Sequence, residues 1–142
     1  MPKEVLTLTL TPDKNPISQL NGLLNQQKAN GTLSKHRKLG RLTVHGAPGI
    51  TLGVDFFRRI NAFSSLHFQK VSFESIDLKG LMDLPPISCH NCTFGLRTSN
   101  NPSLVLDSGI ADCYFQGCLF WGEVSLSKKV IAGHITFIRC LF

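Results

Sequence analysis

Four eight-residue stretches share one pattern: LHFQKVSF (66–73), ISCHNCTF (87–94), CYFQGCLF (113–120) and ITFIRCLF (135–142). Each reads apolar-x-apolar, two residues, apolar-x-apolar. Alternation of this kind turns one face of a short strand inward. The two intervening residues (QK, HN, QG, IR) bend the chain, after which side chains point inward again. The apolar positions fall into four columns: Leu66, Ile87, Cys113, Ile135; Phe68, Cys89, Phe115, Phe137; Val71, Cys92, Cys118, Cys140; and Phe73, Phe94, Phe120, Phe142. Successive units lie 21, 26 and 22 residues apart. A coil of that length cannot bury its inward face alone, so coils must stack like over like. The expected fold is mainly β, a solenoid of about four to five coils.

The pattern extends outside the four units. RLTVHGAPGITLGVDFF (41–57) reads as an earlier coil, with Leu42 and Val44 standing 24 residues before Leu66 and Phe68. Ile76/Leu78, Leu104/Leu106 and Val124/Leu126 are expected to be inward pairs of a third face. The stretches 82–86, 97–103 and 127–129 read as loops at one corner, where solenoids collect insertions and binding. Residues 1–33 read as an N-terminal cap. Leu6, Leu8 and Leu10 alternate as a strand, and Asn15, Pro16 and Gly31 are start and stop signals for a helix with Ile17, Leu20, Leu23 and Leu24 on one face. The solenoid is assigned to 34–142 and is expected to be incomplete at its C-terminal end, because GHITFIRCLF stops in mid-unit. Such an end exposes a cross-section and unpaired backbone, which predicts more chain beyond Phe142 or self-association through that rung.

Five cysteines, Cys89, Cys92, Cys113, Cys118 and Cys140, leave an odd thiol under any pairing. The C-x-x-C at 89–92 would suit zinc or redox chemistry, but a structural zinc site needs four ligands at suitable spacing, and His90 and Cys113 do not complete one. The column assignment accounts for them better, since a free cysteine packs as a small hydrophobe. No metal or other cofactor is expected. With no charged-then-apolar leader pattern at the start, free thiols favour a reducing intracellular compartment. No apolar run approaches the roughly 18 residues of a membrane span.

The columns resemble those of right-handed parallel β-helix proteins. The 66–81 stretch also resembles pentapeptide-repeat solenoids, since Leu66/Phe68, Val71/Phe73 and Ile76/Leu78 step by five. The resemblance covers roughly 40–142 and implies a right-handed coil, but no particular activity. A polysaccharide-depolymerising β-helix would need paired carboxylates about 5–9.5 Å apart. Glu74, Asp77, Asp83, Asp107, Asp112 and Glu123 put no two acids in one column: the positions aligned with Asp112 are Ser65, Pro86 and His134. His67, His90 and His134 read as scattered structural residues, and HGAPG lacks the strand–helix context of a phosphate loop. No catalytic residue is assigned.

Charge is uneven. Residues 1–60 hold nine Lys/Arg against three acids and carry the whole formal charge of +6, while the remainder is neutral. Lys35, Arg37, Lys38 and Arg41 cluster between cap and first coil, and Arg58 and Arg59 are expected to stack near them. The patch suits phosphates, anionic lipid or acidic glycans. Without interleaved aromatics it makes a poor single-stranded nucleic-acid platform. The expectation is a non-catalytic interaction module for a protein or anionic partner, the N-terminal part of a longer viral or bacterial effector-like protein. The runner-up is a carbohydrate-binding or depolymerising β-helix of the tailspike or pectate-lyase type. If the cysteines are a packing column, alkylation without reductant should label all five once the chain is unfolded, as read by mass spectrometry. A blocked Cys92–Cys118 pair would contradict the column.

Overall fold

The computed structural model describes residues 5–31, 38–79, 81, 84–96, 102–106, 112–126 and 135–142. In chain order the elements are β1 (Val5–Thr9), α1 (Pro16–Ala29), β2 (Leu39–His45), β3 (Thr51–Leu52), α2 (Val54–Phe57), β4 (Phe63–Gln69), β5 (Ser72–Phe73), β6 (Ile76–Asp77), β7 (Ile87–His90), β8 (Thr93–Phe94), β9 (Leu104–Leu106), β10 (Cys113–Gln116), β11 (Leu119–Phe120), β12 (Val124–Leu126) and β13 (Ile135–Ile138). They form three sheets: β1-β2-β4-β7-β10-β13, β11-β8-β5-β3 and β12-β9-β6. Every strand pair in them is parallel.

This is a β-solenoid, and its registers are those of the sequence columns. Leu66 faces Ile87, Ile87 faces Cys113 and Cys113 faces Ile135. Phe73 faces Phe94, and Phe94 faces Phe120. Three turns carry all three faces, namely β4–β5–β6, β7–β8–β9 and β10–β11–β12. The coil of β2 and β3, which runs into α2, and the one begun by β13 are partial, so the four to five coils expected are about three complete ones.

Inside, Phe73, Phe94, Phe120 and Phe142 stack with ring centroids 4.6, 4.9 and 5.1 Å apart and planes within 13°. Phe115 and Phe137 do the same at 5.0 Å. The third column closes against the backbone. The Cys92, Cys118 and Cys140 thiols lie 3.4–3.6 Å from the carbonyls of Phe68, Cys89 and Phe115, one coil back in each case. Each thiol also approaches the carbonyl two residues before it.

Each corner between the second and third columns is turned by a left-handed residue: Lys70 (φ 53°), Asn91 (56°), Gly117 (65°) and Arg139 (52°). For a non-glycine residue that conformation costs roughly 1–2 kcal/mol. It is offset by continuing the ladder through the bend, where Lys70 N–H donates to His90 O, Asn91 N–H to Gln116 O and Gly117 N–H to Ile138 O. The equivalent position one coil earlier is Gly46, where any β-carbon would run into the Lys70 carbonyl.

At the N-terminal end, β1 is itself a rung, pairing with β2 from Val5↔Arg41 to Thr9↔His45. The Asn15 side chain accepts from the N–H groups of Ile17 and Ser18 and caps α1, Pro16 takes the first helical position and Gly31 is left-handed (φ 74°). Leu20 is fully buried, while Ile17, Leu23 and Leu24 pack against the core.

Three details differ from the sequence reading. VDFF, read as part of the earlier coil, is helical and forms α2, which buries Phe56 and Phe57, the latter 5.6 Å from Phe73. Leu39 and Phe63 form an unanticipated inward pair. Leu126, expected inward, is 51% exposed and Val124 only half-buried, since β12 is the edge of its sheet among the described residues.

Phe94 has stacked neighbours above and below and the Phe115 ring edge-on at 5.6 Å. Phe94→Ala or Phe120→Ala is expected to cost about 3–5 kcal/mol, measured by denaturant unfolding. Phe142→Ala, at a 72% exposed position, should cost distinctly less. Equal losses at all three would show that the stack does not carry the core.

Candidate functional site

The same alternation that buries one face of the six-stranded sheet turns the other outward. Its registers set polar side chains in columns. One runs Thr7, Thr43, His67, Ser88, Tyr114, Thr136, and a second runs Thr9, His45, Gln69, His90, Gln116, Ile138. A third begins Val5, Arg41, Ser65 and continues to Pro86 and Asp112, whose carbonyls accept from Leu66 N–H and Ile87 N–H.

His67 lies at the centre of this face. On β2, Arg41 and His45 stand diagonally on either side of it, since its direct partner there is Thr43. On β7, His90 stands diagonally opposite, with the imidazole centroids 4.7 Å apart. The His90 ring is in turn 5.7 Å from that of Tyr114, and its Nε2 is 3.2 Å from Ser88 Oγ. Partial burial lowers the His67 pKa below its usual 6.5, and the positive charges of His90, Arg41 and His45 lower it further. Beside the cluster, a shallow trough of about 300 Å³ runs from Arg41 over Ser65, Pro86 and Ser88 to Asp112, Tyr114 and Thr136.

Only part of the expected basic patch falls among the described residues. Lys35 and Arg37 lie outside the described residues. Lys38 is exposed and directly precedes β2. Arg41 is exposed on the outward face, where its register neighbours are Val5 and Ser65. Arg58 and Arg59 follow α2 in the same coil as Arg41, and Arg58 pairs with Asp55 at 3.0 Å. An exposed pair of this kind contributes little to stability. The register thus sets Arg41 diagonally beside His67.

His67 and His90, read as scattered, are nearest neighbours. The signal was present: they occupy outward positions two and four of consecutive units, LHFQKVSF and ISCHNCTF. His134, with residues 82–83, 97–101 and 127–129 of the expected corner loops, lies outside the described residues.

The cysteines face the other way. Cys89 and Cys92 both point into the core, and all five cysteines are free. Burial pushes the Cys113 thiol up to about 12 and raises that of Cys89, which keeps both protonated and poorly nucleophilic at neutral pH. Among the described residues no group of three or more His, Cys, Asp or Glu side chains is arranged to hold a metal ion. Asp77 has Val105 as its rung neighbour, and Asp112 has Pro86. Among the described residues no helix is long and apolar enough to cross a membrane.

Compared with known protein families, curated proteins and solved structures, the chain matches none. The site's role therefore rests on its own chemistry.

Because its folded-state pKa is depressed, His67 binds a proton less readily in the native chain than in the unfolded one. Its contribution to stability is complete above about pH 6.5 and is lost as pH falls through the lower folded value. The denaturant midpoint should therefore drop between pH 7.5 and pH 5.5, and His67→Gln should reduce that drop. An equal drop in the variant would place the acid sensitivity elsewhere.

Proposed function

We propose that the chain is a non-catalytic β-solenoid interaction module that engages a protein or other anionic partner on the outward face of its six-stranded sheet. The observation that carries this reading is the placement of Arg41, His45, His67 and His90 on adjacent rungs. The carboxylate found on that face among the described residues, Asp112, is two rungs away from β4. A parallel sheet closed over a packed core holds such groups at fixed spacing, so little ordering is needed on binding, and the local positive field speeds the approach of an acidic surface.

A second reading, carbohydrate binding, is favoured by the trough, whose lining includes the hydroxyl-bearing Ser65, Ser88, Tyr114 and Thr136.

The test is binding of a poly-glutamate peptide, with a neutral glycan array alongside, at pH 7.5 and low salt. Arg41→Glu should weaken peptide binding by about tenfold or more, equivalent to about 1.4 kcal/mol, while Arg58→Glu, already paired, should change it little. Peptide binding indifferent to Arg41, or strong neutral-glycan binding abolished by Ser88→Trp, would replace this reading with the second.

A further inference from the structure

The cationic face carries an inference about ligand chemistry and its control, which rests on the reading of that face as the binding surface. We propose that Arg41, His45, His67 and His90 form a site for a tetrahedral oxyanion, a sulfate or phosphate group, whose occupancy rises on acidification.

Geometry comes first. His67 has Arg41 and His45 on one neighbouring rung and His90 on the other, with the His67 and His90 rings 4.7 Å apart. Four nitrogen-bearing side chains thus project from three consecutive strands of one face. Arginine presents a planar fork of donors matched to an oxyanion, and a protonated imidazole donates from both nitrogens. A tetrahedral anion has enough oxygens to take donors from several rungs at once, whereas a planar carboxylate has two.

Electrostatics then sets the control. The titratable or charged groups facing His67 are Arg41 and His45 from β2 and His90 from β7. Lys70 follows at the β4 corner, and Tyr114 and Asp112 lie two rungs on, at β10. No carboxylate directly faces His67 among these residues, so protonating it adds positive charge beside positive charge. Partial burial first, and this like charge second, lower its proton affinity in the empty site. An anion bound among the four groups offsets the like-charge part of that penalty. Anion and proton each favour the other's binding, and by linkage the effect is reciprocal.

Arg41 also heads the trough, so the remainder of a ligand bearing the ester group has Ser65 and Ser88 beneath it. Sulfate and phosphate esters are separable by pH. A sulfate keeps its charge throughout, whereas a phosphate monoester loses one negative charge near its second pKa of about 6. Acidification should therefore favour sulfate more than phosphate.

The experiment follows the histidine Cε1–H resonances of the full chain by NMR while sulfate is added at fixed ionic strength, with chloride as the balancing salt, at pH 7.5 and 5.5. The sulfate dissociation constant is expected to fall by about fivefold or more on acidification, since a coupled proton gives up to about tenfold per pH unit. Sulfate should also raise the His67 titration midpoint. Phosphate should show a smaller pH effect, and a larger one would reverse the assignment to sulfate. His67→Gln should flatten the pH dependence, and Arg41→Gln, at an exposed position, should weaken sulfate at both pH values. Equal shifts in chloride alone, or a pH-independent sulfate constant in the wild-type chain, would overturn the site. Because the wild-type readout involves no macromolecule, a positive sulfate result stands even if the poly-glutamate test fails, and an Arg41-dependent but pH-independent peptide interaction would sink only this inference.

Discussion

Backbone hydrogen bonding between parallel rungs fixes a spacing of about 4.8 Å, and every other feature of the molecule inherits it. Once each coil pairs residue for residue with the next, whatever occupies an inward position must tolerate its counterpart directly above. Phenylalanine does so by stacking, at centroid distances of 4.6–5.1 Å along the fourth column. Isolated ring pairs prefer offset or edge-on contacts. Here the near-parallel stack follows from the ladder, and the edge-on preference is met between columns, as in Phe94–Phe115 and Phe115–Phe120.

The corners show why cysteine, rather than a larger hydrophobe, recurs in the third column. A left-handed residue turns the chain sharply just before it, which brings the next side chain close to the carbonyl of the coil below. A thiol fits that short gap and offers a weak donor to the carbonyl, as Cys92, Cys118 and Cys140 each do. Val71, at the first corner of the series, fills the same place without the donor and is equally buried. The C-x-x-C spacing is then a by-product of two inward columns separated by a two-residue bend.

On the outward side the same spacing has the opposite consequence. Side chains that would repel one another in a flexible chain are held on neighbouring rungs, and the fold supplies no route for them to separate. His67 lies between Arg41, His45 and His90 for this reason.

Much of the architecture was legible in the sequence because inward positions repeat in kind. The columns through Leu66, Phe68, Val71 and Phe73, the bends and the α1 cap all follow from local pattern, and their registers are those of the folded chain. The helical VDFF segment was not legible, because the coil that holds it departs from the repeat. The candidate site was hidden for a related reason. Packing demands repetition of inward residues, whereas outward ones are free to vary, so His45 and His90 share a column with Gln69 between them and His67 stands in the next column. Sequence by itself determined that coils stack and what lies between them. Only the tertiary register, with its diagonal neighbours on adjacent rungs, decided that His67 lies between Arg41 and His45 on one side and His90 on the other.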